Sequence, residues 1–508
     1  MFTINGTEFT INQVIPLKAY ICGVTPYNDS HCGHMRTYLA FDTIRKILKR
    51  YFGQDMFVVM NVTDIDDKII NQAHLSGVNY LDIARKYEKS FFDDMEKLNV
   101  EPVNTISRVT DYVDELIKFI QVIIKNGYAY ESNGSVYFDT REFSKKHNNN
   151  PFNLNLGDSD YEFEEEITFA HEKKDKRDVS LWKAQKHDYE PAWDNPFSNI
   201  KGRPSWSCEC AVMSTSILGD KLDLHFGGID LKFPHHQNEI LQVVAYYDRP
   251  DSEYVWTKQF AHFGHLNISG LKMSKSLKNF ITIKEILNKY TARQIRLLFL
   301  QHNWDQSLDY SDDNILHAIS LEKTLSEFLA FLEYFIRKLS ADNSVKKWDI
   351  IDSEFNQVLE KHKSNIDNYL RNNINTKDSV LELQKIISVT YNYLKNDSVQ
   401  YGLLVDINNY LIHILDAFGV NFNVNNVNDS SSQITDILVD FRDKVRSECF
   451  TVNKKHLIDK SPDELSHIAL NLSSNLLKFS DQVRETLTGL DIKIEDKGKN
   501  PSIWKKLN

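Results

Sequence analysis

Residues 17–67, LKAYICGVTPYNDSHCGHMRTYLAFDTIRKILKRYFGQDMFVVMNVTDIDD, decide the fold. The apolar run at 17–24 predicts a short buried strand, and the loop that follows at 25–35 is rich in turn-forming residues. Apolar side chains near helical spacing predict a helix over 36–52, and a second apolar run predicts a strand over 55–66. Together these segments form a βαβ unit, which implies a parallel sheet with a site at the carboxyl ends of its strands.

Composition excludes several classes of protein. The chain has 508 residues and a formal net charge of −11, so we expect about three domains and no indiscriminate nucleic-acid binding, although a local basic track is still possible. It has no run of about 18 apolar residues and no signal-peptide pattern at its start, so we predict neither a membrane-spanning nor a secreted protein. Its five cysteines are too few for a disulfide framework and favour core thiols, metal ligands or catalytic groups.

The rest of the chain falls into three further parts. A helix, a hairpin-like segment and a long polar stretch predict an inserted subdomain at 103–204. The apolar runs SCECAVMS and LDLHFGGID predict strands that resume the sheet, with a helix opening at Pro234. Beyond residue 310 the pattern is almost entirely helical. The predicted divisions are the first half of an α/β domain at 1–102, the insertion at 103–204, the second half at 205–310, and a helical domain with a C-terminal tail at 311–508.

Two loops carry groups that suit phosphate chemistry. In the sequence from His31 to His34, two imidazoles flank a glycine at a helix start, where unpaired amides and the helix dipole favour anions. In the sequence from Lys272 to Ser276, two lysines and two hydroxyls suit the neutralisation of charge on a triphosphate. Either motif alone is weak, because loop histidines and Lys/Ser runs are commonly surface residues without a function.

The pair is much more specific than either motif. HxGH after a first strand and KMSKS after the last strand of an interrupted α/β domain resemble the class I aminoacyl-tRNA synthetases. Five further segments resemble the cysteinyl-tRNA synthetases in particular, and their sequences are closer to those of eukaryotic-type members. The segments are YICGVTPYNDSHCGHMRTYLAFD, NVTDIDDKII, GRPSWSCECAVMS, HFGGIDLKFPHHQNEI and SGLKMSKSLKNFITI. The resemblance covers roughly residues 18–310. It implies a Rossmann-like parallel-sheet catalytic domain interrupted by a connective insertion, followed by a C-terminal helical bundle that binds the anticodon.

A zinc site can be argued partly from residue chemistry. His235 and Glu239 are four residues apart on a predicted helix, so they project from one face, and Cys22 ends the first strand. Two thiolates, one imidazole and one carboxylate make an acceptable zinc shell. The spacing cannot choose between Cys208 and Cys210, because residues two apart on a strand face the same way. The family resemblance selects the cysteine of a W-x-x-E-C pattern. It implies one zinc ion per chain, bound by Cys22, Cys210, His235 and Glu239.

The resemblance also assigns the other candidate residues. It gives catalytic roles to His31, His34, Lys272 and Lys275, and ATP contacts to His31, Gly33, His34, Asp230 and Lys275. It places the substrate cysteine against Gly23, Thr25, Thr63 and Trp206. In the helical half, Trp504 would stack on an anticodon base and Lys505 and Lys506 would meet phosphate, with the alternative that the tryptophan folds back onto the helices.

The implied reaction has two steps. Cysteine attacks ATP, accompanied by Mg2+, to give cysteinyl-adenylate, and the 3′ end of tRNA(Cys) then takes the cysteinyl group. Zinc would select the thiol, since it prefers soft sulfur to a serine hydroxyl. We therefore expect L-cysteine, ATP and tRNA(Cys) as partners, no membrane and a cytoplasmic location. Two other functions stay open: a ligase that joins cysteine to a small amine, and a catalytically inactive RNA-binding paralogue. The long helical half speaks against the first, and the intact motifs speak against the second.

Overall fold

The chain divides into two compact units. The computed structural model describes residues 1–147, 170–249, 254–268, 271–272, 280–341, 347–396, 398–422, 435, 438–439, 441–447, 449–450, 464–488, 492–497 and 500–506. The first unit comprises residues 1–316, 366–380 and 417–419, and the second comprises 317–365, 381–416 and 420–508. None of the helices in these described ranges is long and apolar enough to cross a membrane.

The elements of the first unit alternate strands with short helices. Its strands are β1 Phe2–Ile4, β2 Thr7–Phe9, β3 Leu17–Val24, β4 Met56–Val62, β5 Thr105–Arg108, β6 Ala129–Ser132, β7 Ser135–Phe138, β8 Val179–Ala184, β9 Gly202–Pro204, β10 Leu222–Gly228, β11 Thr257–Phe263, β12 Leu266–Ile268, β13 Leu271–Lys272 and β14 Leu308–Tyr310. Its helices are α1 Cys32–Lys46, α2 Asp67–Ser76, α3 Tyr80–Lys97, α4 Val113–Lys125, α5 Thr140–Lys146, α6 Trp206–Leu218, α7 Gln237–Tyr247, α8 Ile283–Leu287 and α9 Ala292–Leu300.

A five-stranded sheet forms the centre of this unit, in the order β11-β10-β3-β4-β5. All its neighbouring strands are parallel, which confirms the predicted βαβ unit and α/β fold. Strands β3 and β4 are almost continuously apolar and buried because helices cover both faces of such a sheet. The sheet extends past the boundary predicted at residue 102, since β5 begins at Thr105; the three boundaries between the four predicted parts otherwise stay a prediction.

The predicted insertion contains an antiparallel sheet, in the order β6-β7-β8-β9. Its first two strands form the predicted hairpin, and Asn133 and Gly134 both take the positive φ values that a two-residue hairpin turn requires. Trp182 of β8 is fully buried in the core that this sheet shares with α4 and α6. The polar stretch predicted to follow the hairpin lies largely outside the described residues.

One predicted strand is a helix. SCECAVMS lies in α6, and every residue from Ser207 to Ser214 is buried. A helix that is covered on all sides shows no amphipathic spacing, so its apolar run is typical of a buried strand as much as of a helix. The helix predicted to open at Pro234 is present: Phe233 has an extended backbone that interrupts the helical geometry, and the chain after it leads into α7.

The second unit contains long helices and a terminal hairpin, and four of these helices begin or end at residues assigned to the first unit. The helices are α10 Asp312–Ala341, α11 Ile350–Arg371, α12 Thr376–Tyr393, α13 Tyr401–Ala417 and α14 Glu464–Thr488. The antiparallel strands β15 Ile492–Lys497 and β16 Asn500–Lys506 follow them. The helical region confirms the prediction of a helical C-terminal half, whereas the hairpin was not predicted.

A buried ion cluster on α1 stabilises the first unit. Asp42, which is 1% exposed, lies 2.6 Å from both Lys46 Nζ and Arg296 Nη2. We expect Asp42→Asn to lower the free energy of unfolding by about 3 kcal/mol, because it leaves two buried cations without their counter-charge. Urea denaturation measures this. Asp93→Asn is the matched control: it removes an exposed pair of the same spacing, Lys89–Asp93, and should cost less than about 0.5 kcal/mol. Equal losses in the two variants would contradict the prediction.

Candidate active site and metal centre

A bulge at the end of β3 creates the floor of the site. Ile21 pairs with Met60 and Val24 pairs with Val62, so Cys22 and Gly23 together face the single residue Asn61. Such a bulge redirects side chains at a sheet edge. Gly23 is required here because a Cβ at this position would lie 1.6 Å from the carbonyl oxygen of Asn61.

The four predicted zinc ligands converge at this point. Cys22 Sγ lies 3.7 Å from Cys210 Sγ, and His235 Nε2 lies 3.4 Å from Cys210 Sγ and 3.3 Å from Glu239 Oε1. All four side chains are buried, and their potential ligand atoms lie within 4.8 Å of one another. The predicted convergence of two thiols, an imidazole and a carboxylate is therefore present.

The buried carboxyl and thiol groups of this cluster have the properties expected of a cation-binding site. Neither Glu239 oxygen has a hydrogen-bond partner among the described residues, which is costly for a fully buried carboxyl. Burial raises the pKa of Glu239 and of Cys22 well above their usual values. Burial also raises the pKa of Cys210, but the hydrogen bond from Cys22 and the charge of His235 outweigh it and lower the value to about 5. A divalent cation would allow the remaining groups to ionise as well.

The helical geometry of α6 distinguishes Cys208 from Cys210, which their spacing in the sequence could not do. Residues two apart on an α-helix point about 200° apart, so Cys208 faces away from Cys210. The Cys208 thiol donates instead to the carbonyl oxygens of Leu181 and Ser205, at 3.3 Å each. The structure thus places Cys208 outside the cluster.

A second set of donors shares Cys22 and Glu239. His225 Nε2 lies 3.5 Å and His236 Nε2 lies 3.3 Å from Cys22 Sγ. His236 Nδ1 is engaged with His262 Nε2 at 2.9 Å. Burial lowers the pKa of His225 and His236 well below the usual value, so both rings are neutral.

The residues predicted to bind cysteine lie beside the cluster. Trp206, the first residue of α6, stacks on the His235 ring with centroids 4.3 Å apart. Thr63, just past the end of β4, is 2% exposed and donates from Oγ1 to Glu209 Oε2 at 3.2 Å. Burial, followed by the charge of Cys210, raises the pKa of Glu209 well above its usual value. Thr25 is half-buried in the loop after β3.

The two histidines of HxGH form one unit at the start of α1. His31 Nδ1 accepts from the Gly33 amide at 3.0 Å, and His34 Nδ1 accepts from the His31 amide at 3.4 Å. Their rings stack with centroids 3.9 Å apart. Burial, with His31 nearby, lowers the pKa of His34 to about 3. In both rings the backbone amide occupies Nδ1, and in the neutral His34 ring the proton therefore lies on Nε2, which can donate to an oxyanion.

The segment after the KMSKS sequence is joined to this loop. The Cys32 amide donates to Ile281 O and the Ile283 amide donates to Ser30 O, at 3.0 Å each. Lys272 ends β13, whereas Lys275 lies outside the described residues. Asp230 is exposed in the turn after β10.

Comparison with known proteins gives the family. The model for the class I (C) tRNA synthetase catalytic domain matches residues 9–320. The cytoplasmic cysteine--tRNA ligase of Dictyostelium discoideum is 38% identical over 96% of this chain and 74% of that protein. The cysteine--tRNA ligase of Encephalitozoon cuniculi is 38% identical over 86% of this chain and 88% of that protein. The chain belongs to the cysteine--tRNA ligase family. The predicted resemblance is therefore confirmed.

A solved structure outside the cysteine--tRNA ligase family shares the fold. Mycobacterium tuberculosis methionyl-tRNA synthetase in complex with methionyl-adenylate is similar with a TM-score of 0.57 and 16% identity, over 80% of this chain and 90% of that one. At this identity the likeness supports the fold alone, which agrees with the predicted class I architecture.

The C-terminal residues predicted to contact RNA are engaged within the second unit. Trp504 is 6% exposed, packs with Ile494 and Leu487, and lies under the guanidinium of Arg337 at 5.2 Å. Lys505 Nζ lies 3.8 Å from Glu327 Oε1 and 3.6 Å from Glu495 Oε1. The Trp504 ring is folded back onto this unit, which is the alternative given for it; its stacking on an anticodon base stays a prediction, and the side chain of Lys506 is not among those described.

Sequence reasoning missed three polar side chains in this cysteine--tRNA ligase site: Asn61, Glu209 and His225. Each is a buried polar residue within an apolar run, at MFVVMNV, SCECAVMS and LDLHF respectively. A polar side chain in a segment that predicts full burial indicates either a paired core group or a site. The position of these three polar residues within apolar runs therefore marks them in the sequence as candidates for the site.

Proposed function

We propose that this chain activates L-cysteine with ATP and transfers the cysteinyl group to the 3′ end of tRNA(Cys). The observation that carries the proposal is the convergence of two thiols, an imidazole and a carboxylate at the carboxyl edge of the parallel sheet. In a chain of this family, that edge is where a small substrate would bind. The relatives' names support cysteine and tRNA as substrates, and one of the two names a cytoplasmic location, which we propose for this chain as well. Mg2+ would accompany the ATP.

Cys22, Cys210, His235 and Glu239 would hold one zinc ion. When bound there, zinc would supply selectivity, since it favours a thiolate ligand over a serine hydroxyl. Gly23, Thr25, Thr63 and Trp206 would surround the rest of the amino acid. Trp206 is suited to this role because its ring is already fixed by stacking on His235.

The chain's other residues would act by positioning and charge. His31 and His34 would donate from Nε2 to phosphate oxygens, helped by the helix dipole at the start of α1, and Gly33 would contact ATP beside them. Lys275 foremost and Lys272 second would neutralise the charge that develops as the α-phosphorus is attacked. Asp230 would meet the adenosine ribose. No covalent intermediate on the protein is required, since cysteine's own carboxylate is the nucleophile.

Three measurements on the purified full chain test the proposed function. We expect about one zinc per chain by plasma mass spectrometry, ATP–pyrophosphate exchange that depends on cysteine and not on serine, and charging of a tRNA(Cys) transcript. Absence of cysteine-dependent exchange would contradict activation and favour an inactive RNA-binding paralogue. Exchange without charging of the transcript would contradict the transfer step and favour a ligase that uses a small amine.

A further inference from the structure

The bulge in β3 fixes the orientation of the Asn61 amide. At the bulge, the Gly23 amide donates to Asn61 Oδ1 at 2.7 Å instead of to the backbone of β4. A backbone N–H can only donate, so the atom facing Gly23 must be the amide oxygen of Asn61. The Asn61 Nδ2 group therefore points the other way.

The same constraint sets the direction of two further hydrogen bonds. Asn61 Nδ2 donates to Thr63 Oγ1 at 3.2 Å, so the Thr63 oxygen is an acceptor on that side. The Thr63 proton goes to Glu209 Oε2, also at 3.2 Å. Asn61, Thr63 and Glu209 are 2%, 2% and 1% exposed, so water does not compete for these bonds. A hydroxyl has one proton and two lone pairs, which leaves the Thr63 oxygen one lone pair.

This chain of hydrogen bonds lies against the cysteine site at both ends. Gly23 follows the proposed zinc ligand Cys22, and Glu209 precedes the proposed ligand Cys210. In free cysteine the amino nitrogen is three covalent bonds of about 1.5 Å from the sulfur, so it lies within roughly 4 Å of it. A substrate whose sulfur is at the thiol cluster therefore has its ammonium within reach of the residues that adjoin Cys22 and Cys210.

We propose that Asn61 is a positioning residue that holds the Thr63 hydroxyl with its free lone pair available to the substrate ammonium. The inference rests on the proposed function, because it requires cysteine to bind at this cluster. An ammonium group has only donors and needs acceptors around it. Without Asn61, the Thr63 hydroxyl could turn, and its oxygen would no longer be held as an acceptor for the substrate.

The test compares two thiol ligands that differ in the amino group. L-cysteine carries the ammonium, and 3-mercaptopropionate has the same thiol and carboxylate without it. We expect Asn61→Leu, which keeps the branched shape and the number of heavy atoms, to weaken cysteine binding about tenfold by calorimetry and to leave 3-mercaptopropionate binding within about twofold. The KM for cysteine should rise more than the KM for ATP. If this variant does not fold, Asn61→Ala removes the same hydrogen bonds without adding strain.

Variants of Thr63 test whether Asn61 acts through it. Thr63→Val should lose the preference for cysteine over 3-mercaptopropionate, and Thr63→Ser should restore most of it. Adding Asn61→Leu to Thr63→Val should cause no further loss of that preference. The inference would be overturned if the double variant lost as much additional preference as Asn61→Leu loses alone. It would also be overturned if Asn61→Leu weakened the binding of cysteine and of 3-mercaptopropionate equally.

The inference and the proposed function can fail separately. If the wild-type chain neither binds cysteine nor catalyses cysteine-dependent exchange, the proposed function is wrong. If the wild-type chain binds cysteine more tightly than 3-mercaptopropionate and Asn61→Leu keeps that ratio, only the role of Asn61 is wrong.

Discussion

Cys210→Ser is expected to lose the bound zinc and to lower cysteine-dependent pyrophosphate exchange by more than about 100-fold. Replacing residues that merely support a metal ligand already costs about 10 to 100-fold in affinity or activity, and loss of a ligand should cost more. Serine keeps the size of the side chain but does not provide a thiolate near neutral pH. Zinc content by plasma mass spectrometry and the exchange rate measure the two effects.

Cys208→Ser is the matched control because it makes the same chemical change two residues earlier on α6. Its hydroxyl can still donate to the carbonyl oxygens of Leu181 and Ser205, so zinc content and exchange should stay close to wild type. If Cys210→Ser kept both the metal and the preference against serine, the ligand assignment would be wrong. If Cys208→Ser also lost the metal, the effect would report disruption of α6 rather than loss of a ligand.

His34→Ala is expected to reduce the rate constant of exchange by about 10² to 10³-fold, the cost of removing one oriented donor to a developing oxyanion. Zinc content and cysteine affinity should change little, because His34 is not part of the thiol cluster. The neutral ring also predicts a pH dependence. With a pKa of about 3, His34 stays uncharged above about pH 5, so its titration should produce no acid limb in the rate between pH 5.5 and 8.

His34→Gln separates the catalytic effect from helix stability. Glutamine at this position can keep the reciprocal bond to the His31 amide that helps to start α1. We therefore expect His34→Gln to have the melting temperature of the wild type while its exchange stays at least about tenfold slower. A wild-type rate in His34→Ala would contradict a phosphate-binding role, and an acid limb in wild type that is absent from both variants would contradict the neutral ring.

The βαβ start of the fold could be predicted because its local signals agree with its tertiary environment. β3 and β4 are buried on both faces and therefore have continuous apolar sequences, and α1 follows a loop of turn-forming residues. The prediction of a strand at SCECAVMS was wrong for a related reason. Because this part of α6 is completely buried, it lacks the polar face that identifies a helix in a sequence. The terminal hairpin β15–β16 was missed because its short strands carry more charged residues than apolar ones.

The site was predictable to different extents. His235 and Glu239 could be paired from their spacing alone, whereas choosing Cys210 required the family pattern, because the spacing argument assumed a strand. The role of Gly23 in the bulge depends on the register between β3 and β4, which a single sequence does not contain. Burial of Trp504 depends on partners from Val439 to Ile494 that only the folded chain brings together.

The placement of Cys210 on a helix rather than a strand limits how the chain can change around it. Each residue of α6 turns the side-chain direction by about 100°, so inserting or deleting one residue between Ser205 and Cys210 would swing the sulfur to another side of the helix. The Cys208 thiol cannot replace that of Cys210 as a ligand, since it faces the opposite side of the helix. The length of this segment, and not only its composition, therefore determines whether the sulfur reaches the cluster.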